Sequence, residues 1–148
     1  MDRKTLFTQL DQSMMAIGKD MRQDQFGSIA CSPAQKRVLL VLGTHETMHV
    51  KQLAELLQVT SGAATQHVEA LEKLGLLERS SITDDRRVVT VKLTPNGTDA
   101  LRTIRKLHEK MMQELFAGLT DDELRTLVML ITKASQTFAT NKKEGNAS

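Results

Sequence analysis

Aromatic residues are scarce in this sequence, which has four Phe and neither Tyr nor Trp among its 148 residues. Surfaces that bind single-stranded nucleic acid usually stack successive bases on aromatic side chains. This composition excludes such a stacking platform. The core must instead be built from Leu, Val, Ile, Ala and the eight Met.

Cysteine and long apolar segments are also lacking. The single cysteine, Cys31, cannot form an intrachain disulfide, which excludes a disulfide-stabilised secreted fold. Residues 1–4 lead into mixed polar sequence, without the apolar stretch of a signal peptide. The longest apolar run, residues 38–42, is far shorter than the roughly 20 residues that cross a bilayer. We therefore expect a cytoplasmic protein that has no membrane partner.

Neither sign of charge dominates, since 20 Lys and Arg face 18 Asp and Glu. No long block of the chain is strongly basic, so composition alone neither supports nor excludes DNA binding. It does disfavour a polybasic membrane-surface segment. One local excess stands out within residues 79–92, where four basic residues face only Asp84 and Asp85.

The sequence has only two prolines, and both lie where a helix is expected to begin. Ser-Pro-Ala-Gln at 32–35 combines an N-cap serine, a proline at the first helical position and the glutamine of a capping box. Thr-Pro-Asn-Gly at 94–97 has the same cap and proline. Thr-Asp-Asp-Glu at 120–123 is a capping box with an acidic first turn. These three patterns predict three helix starts.

Apolar spacing then predicts the long helices of a single 148-residue domain. They cover roughly 3–25, 33–43, 96–117 and a final segment from 120 to about 140. The polar residues 141–148 are expected to form a flexible tail.

The middle of the chain predicts a winged helix. Two short helices, 50–57 and 61–74, are separated by a break at 58–60, and Gly75 is expected to end the second in a left-handed conformation. Two β-type runs follow, 76–81 and 88–93, joined by a polar loop that contains Arg86 and Arg87. The expected fold is mainly α with a small β-hairpin wing: a winged helix-turn-helix DNA-binding lobe at 33–95, and a helical dimerisation region at 1–30 and 96–140.

The second short helix is the candidate recognition helix, because its first turns offer small polar side chains that could reach base edges. Gln66 could bond adenine through two hydrogen bonds. Arg86 and Arg87 could enter a narrow minor groove, and Asp85 could hold an arginine or loop amides before DNA arrives. The candidate DNA-binding residues are Thr60, Ser61, Gly62, Thr65, Gln66, His67, Asp85, Arg86 and Arg87.

Several segments together resemble the MarR family of bacterial transcriptional regulators. They are Leu-Ala-Glu-Leu-Leu at 53–57, Leu-Glu-Lys-Leu-Gly-Leu-Leu at 71–77, Asp-Arg-Arg at 85–87 and Leu-Thr-Pro-Asn-Gly at 93–97, with the helix start at 32–35. The similarity extends over nearly the whole chain. Gln58 departs from the pattern, since it occupies a turn position where helix-turn-helix proteins often have Gly.

The resemblance implies a regulator, most simply a repressor, that binds a pseudo-palindromic double-stranded operator as a homodimer. Its first and last helices would intertwine, and it would need no cofactor and have no enzymatic activity. It also implies that Arg87, paired with Asp85, is the arginine of the family's wing motif. A small aromatic or lipophilic effector between the lobes would release the DNA.

A different chemistry is suggested by His-Glu-Thr-Met-His at 45–49, which matches the H-E-x-x-H signature of zinc metallopeptidases, with Glu69 or Glu72 as conceivable third ligands. That signature needs both histidines on one helix face. Here Gly43 and Thr44 end the preceding helix, so a polar connector is the preferred interpretation.

Sensing of a metal or of redox state by a regulator of this family is a further alternative. Candidate metal ligands are Cys31, His45, Glu46, His49, His108 and Glu109. Cys31 precedes a helix N-terminus, whose dipole could lower its thiol pKa and favour oxidation. Inert packing of Cys31 is the preferred interpretation, since free cysteine is commonly buried.

Overall fold

The computed structural model describes residues 1–23, 29–80 and 89–145. It contains six helices and three short strands in these ranges: α1 Arg3–Gln23, α2 Pro33–Leu42, β1 Met48–His49, α3 Val50–Leu57, α4 Ser61–Lys73, β2 Leu77–Ser80, β3 Thr90–Leu93, α5 Pro95–Leu115 and α6 Asp121–Gly145. The chain divides into two compact units, Met1–His108 and Glu109–Ser148. No helix in the described ranges is both long enough and apolar enough to cross a membrane.

The three predicted helix starts are confirmed, because the local capping chemistry is satisfied at each. The Ser32 hydroxyl accepts a hydrogen bond from the Gln35 backbone N–H at 3.2 Å, and the Gln35 side chain accepts from the Ser32 N–H at 2.9 Å. The Thr94 hydroxyl accepts from the Gly97 N–H at 3.0 Å. A reciprocal pair of bonds closes the third cap, at residues 120–123. Each cap satisfies backbone donors that have no partner within the helix.

The core of the first unit joins the helix-turn-helix to α2, the sheet and α5. Its members are at most 4% exposed: Val38, Leu39, Leu42, Met48, Leu53, Leu57, Val68, Leu71, Leu77, Val91, Leu101 and Ile104. Burying one such side chain stabilises a fold by about 1.5–3 kcal/mol. Because α4 contributes Val68 and Leu71, its inner face is fixed in this core and its opposite face is turned outward.

The sheet has three antiparallel strands in the order β1-β3-β2, one more than the predicted hairpin. Met48 pairs with Val91, and Leu77 pairs with Leu93. We predicted a polar connector at 45–49 without a strand, and this was wrong for its last two residues. Thr90, on the central strand β3, is buried although it is polar.

Two left-handed residues end the two short helices. Gly75 has φ +71°, as its sequence position predicted. Gln58 ends α3 with φ 55° and ψ 44°, a conformation that glycine adopts more readily. The helix-turn-helix turn therefore forms as predicted, with a strained residue at the position where the sequence departs from the family pattern.

The last helix is longer than predicted. We expected it to end near Thr140, but α6 continues to Gly145. Lys142, Lys143 and Glu144 are good helix formers, so the polar composition that suggested a tail is also compatible with a helix.

Candidate DNA-binding interface

The candidate recognition helix α4 begins at a well-formed N-cap. The Thr60 hydroxyl accepts a hydrogen bond from the Ala63 backbone N–H at 3.1 Å. Thr60 therefore stabilises the start of α4, and its hydroxyl keeps its proton and one lone pair for another group. This structural task was not part of its predicted role.

The outer face of α4 carries three of the predicted residues. Ser61, Gly62 and Gln66 are exposed, whereas Ala64, Val68 and Leu71 face the core. Successive helix residues are rotated by about 100°, which places Gly62 and Gln66 one turn apart, nearly opposite the buried stripe. The Gln66 amide is thus carried outward on a helix whose other side is fixed in the core.

Thr65 and His67 are less available than predicted, because both are only partly exposed. The Thr65 hydroxyl donates to the Ser61 backbone carbonyl at 2.9 Å, so its proton is already used within α4. His67 lies on the flank of the helix, between the outer face and the core side. Of the predicted residues on α4, Gln66 has the most side-chain hydrogen-bonding capacity directed outward.

An ion-pair cluster that the sequence did not predict lies on the second half of the same helix. The Arg79 guanidinium Nε on β2 lies 3.1 Å from Glu72 Oε2, and its Nη2 lies 3.7 Å from Glu69 Oε1. Glu69 follows Gln66 by three residues and shares its exposed face. Helical spacing alone could have placed the carboxylates on this face, but not the arginine that contacts them.

The predicted wing residues Asp85, Arg86 and Arg87 lie outside the described residues. The base of the hairpin is described, and the Thr90 hydroxyl donates a hydrogen bond to the Ser80 carbonyl across it. Lys92 Nζ on β3 lies 3.0 Å from Glu78 Oε1 on β2. The two strands are therefore joined by side-chain contacts in addition to their backbone ladder.

The geometry of residues 45–49 does not support a zinc peptidase site. The two histidines do not lie on a helix, because the segment ends in β1 and its Met48 is buried in the core. His45 Nδ1 lies 3.1 Å from the Val41 carbonyl. Glu69 and Glu72, considered as third ligands, instead contact Arg79. Over the described ranges, no group of three or more His, Cys, Asp or Glu residues is placed to hold a metal ion.

Cys31 is placed as a packing residue. It is partly buried against the core, and this burial raises its thiol pKa more than the nearby Lys36 charge lowers it. The pKa lowering that we considered for a redox-sensing thiol is therefore wrong in direction. A less ionised thiol is a poorer nucleophile and a poorer target for oxidants.

The helices α3 and α4 are joined by a tight turn and followed by the hairpin of β2 and β3. The strand β1, which precedes α3, completes the sheet. This arrangement defines a winged helix-turn-helix protein. The model of the MarR family matches residues 31–89. The HTH-type transcriptional repressor MdtR of Bacillus subtilis (strain 168) is 26% identical over 142 residues, which cover 94% of this chain and 92% of that protein.

Two further relatives extend this match. The uncharacterized HTH-type transcriptional regulator YfiV of the same organism is 32% identical over 76% of this chain and 71% of its own. A crystal structure of a MarR mutant from E. coli complexed with operator DNA has a TM-score of 0.70 and 26% identity, and covers 90% of this chain and 99% of that one. The chain belongs to the MarR family of transcriptional regulators. The resemblance stated from the sequence is confirmed.

Proposed function

We propose that this protein is a transcriptional repressor that binds a specific double-stranded operator through α4. The observation that carries the proposal is the outer face of α4, where Gly62 and Gln66 project from a helix anchored by Val68 and Leu71. Such a helix can enter a major groove without rearranging its core. Support also comes from the related repressor MdtR and from the MarR structure that contains operator DNA.

We propose in addition that the first two turns of α4 read bases while the hairpin reaches a flanking minor groove. Gln66 suits an adenine, whose N7 and N6 groups match a carboxamide. Arg87 would enter the minor groove, oriented by Asp85 and accompanied by Arg86, since an arginine is attracted by the potential of a narrow groove. Because a protein that acts on an operator works where the chromosome is, we propose a cytoplasmic location.

The proposed functional unit is a homodimer, because both terminal helices expose large apolar side chains. On α1 the exposed fractions of Phe7, Leu10 and Met14 are 58%, 57% and 63%. On α6 those of Ile131 and Phe138 are 58% and 73%. Exposed apolar faces of this extent usually mark an interface. A second copy would cover them with equivalent residues and present two recognition helices about 10 bp apart.

Release of DNA by a small aromatic or lipophilic effector is part of the proposal. Methionines at the dimer interface, among them Met14, Met15 and Met129, would supply an adaptable apolar lining for such a molecule. The effector must bind the DNA-free conformation more tightly than the DNA-bound one, since otherwise it would regulate nothing.

The test is a footprint on the DNA beside the gene, combined with sedimentation. We expect protection of one palindrome of about 16–20 bp, in which two half-sites are one helical turn apart. Sedimentation should give a dimer at micromolar concentration, with one dimer per palindrome. A stable monomer, or protection without a preferred sequence, would contradict the proposal.

A further inference from the structure

The recognition helix carries negative charge beside the turns proposed to meet DNA. Glu69 is exposed one turn beyond Gln66, and Glu72 follows one turn later. DNA carries one phosphate charge for each 1.7 Å or so of its axis, so uncompensated carboxylates beside the groove would repel it. Something must offset these charges if α4 enters the groove.

Arg79 is placed to contact both carboxylates from a neighbouring element. Its guanidinium lies 3.1 Å from Glu72 Oε2 through Nε and 3.7 Å from Glu69 Oε1 through Nη2. One planar group thus contacts two carboxylates, which a point-charge ammonium could do less well. The contact also joins α4 to β2, the strand that leads into the wing.

We propose that Arg79 is a positioning residue for DNA recognition, which contacts both Glu69 and Glu72, offsets one of their two negative charges and fixes α4 to the base of the wing. This inference rests on the proposed function, because it concerns how the same helix approaches an operator. Arg79 acts through the two glutamates, and no contact of its own with DNA is required.

The two ion pairs of Arg79 contribute little to the free energy of unfolding. A role in DNA recognition can therefore be separated from a role in folding. The side chains of Arg79, Glu69 and Glu72 are 39%, 53% and 40% exposed, and ion pairs this exposed add little to the free energy of unfolding. Removing Arg79 should therefore leave a folded protein with two uncompensated carboxylates on its recognition helix.

The hairpin offers a matched control in Lys92. It also carries one positive charge, lies on the neighbouring strand and is 43% exposed, but its carboxylate partner Glu78 is on β2 and not on α4. Arg79→Ala and Lys92→Ala therefore remove the same charge from the same hairpin. Only the first removes a positive charge that contacts the carboxylates of α4.

The experiment is a binding cycle on the full-length protein with the footprinted operator at fixed salt. We expect Arg79→Ala to weaken binding roughly tenfold, as a like-charge contact at an interface does, and Lys92→Ala to weaken it by about twofold or less. In a protein that also carries Glu69→Gln and Glu72→Gln, Arg79→Ala should weaken operator binding by about twofold or less, since no carboxylate remains on α4 for Arg79 to offset.

Equal losses for Arg79→Ala and Lys92→Ala would overturn the proposal. The proposal would also be overturned if Arg79→Ala reduced operator affinity by the same factor with and without the two glutamates, because Arg79 would then contact DNA directly. Thermal unfolding checks that every variant is folded. If Arg79→Ala is not, Arg79→Lys replaces it in the cycle, with a smaller loss that must likewise vanish when the glutamates are removed.

Amide hydrogen exchange without DNA gives an independent readout. Arg79→Ala should speed exchange in the second half of α4 and in β2, and Lys92→Ala should not change α4. Unchanged exchange in α4 would contradict the positioning role even if DNA binding fell. If the wild-type protein failed to distinguish the operator from a scrambled duplex, the proposed function would fail, and the exchange result would still test the contact between α4 and β2.

Discussion

The backbone of Gly97, in the first turn of α5, lies directly against the main-chain carbonyl of Leu76. A Cβ at this position would collide with that carbonyl, and the collision involves backbone that no side-chain rotation can relieve. The Thr94 N–H donates to the same carbonyl at 3.2 Å, which ties the start of α5 to the segment that enters the hairpin. Glycine is therefore required here by packing and not by its backbone dihedral angles.

Gly97→Ala should destabilise the protein by about 2–3 kcal/mol, the usual cost of forcing extra volume into a packed site. The measurement is urea unfolding, with the slope checked for a constant two-state transition. An unchanged midpoint would show that α5 can move away from Leu76 at little cost, which the close backbone approach does not allow.

Unlike Gly97→Ala, Gly62→Ala is expected to stabilise the protein, and it is also expected to weaken operator binding. A Cβ on Gly62 would meet only the Thr60 hydroxyl, at 4.0 Å, so the fold does not need glycine there. Alanine in a helix is more stable than glycine by about 0.5–1 kcal/mol. If the bare backbone allows close approach to DNA, operator affinity should fall at the same time.

Urea unfolding and operator titration on the same Gly62→Ala preparation separate the two effects. A gain in stability with unchanged affinity would remove Gly62 from the interface. Loss of both properties would mean that the start of α4 is packed more tightly than the structure shows.

The left-handed Gln58 predicts a stabilising substitution in the helix-turn-helix turn. A non-glycine residue in this conformation lowers the free energy of unfolding by about 1–2 kcal/mol. Substitution by glycine removes this strain, but it also increases the entropy of the unfolded state, so the net gain is smaller. We therefore expect Gln58→Gly to stabilise the protein by about 0.5–1 kcal/mol. The matched control is Gln52→Gly, at an exposed position within α3, which should lose about 1 kcal/mol. Thermal or urea unfolding of both variants decides, and a loss in both would show that φ at Gln58 is not strained.

Cys31 should react slowly and should not regulate DNA binding. Because burial raises its thiol pKa in the folded state, folding favours the neutral thiol. The contribution of the neutral Cys31 thiol to the free energy of unfolding is therefore fully present below the thiol pKa of the unfolded chain. It is lost as pH rises through the higher thiol pKa of the folded protein. Alkylation by iodoacetamide at neutral pH should be slower than for an unfolded control, and Cys31→Ser should leave the response of operator binding to peroxide unchanged. Faster alkylation in the folded protein would restore the redox hypothesis.

The parts of the fold that could be predicted are those fixed by local chemistry. The starts of α2, α5 and α6 follow from side chains within three residues of each cap, so the sequence alone was sufficient. β1 could not be predicted, because a two-residue strand has no periodicity and exists only through its pairing with Thr90 and Val91, far along the chain. The end of α6 was misjudged because charged residues suit both an exposed helix and a tail.

The candidate site shows the same division. The outward position of Gln66 follows from helical spacing in α4, and the sequence placed it correctly on the exposed side. The contact between Arg79 and Glu72 depends on how β2 packs beside α4, which no pattern within either segment specifies.

The central claim is that α4 reads sequence, and operator discrimination tests it most directly. Fluorescence anisotropy would compare the footprinted palindrome with a scrambled duplex of equal length and salt, for the wild type, Gln66→Ala and Arg87→Ala. We predict that the wild type prefers the palindrome by about 10³-fold or more. Each substitution should cost about 1–3 kcal/mol on the palindrome, and Gln66→Ala should leave scrambled binding unchanged. Equal affinity of the wild type for both duplexes, or loss of the same factor on both from Gln66→Ala, would contradict the account.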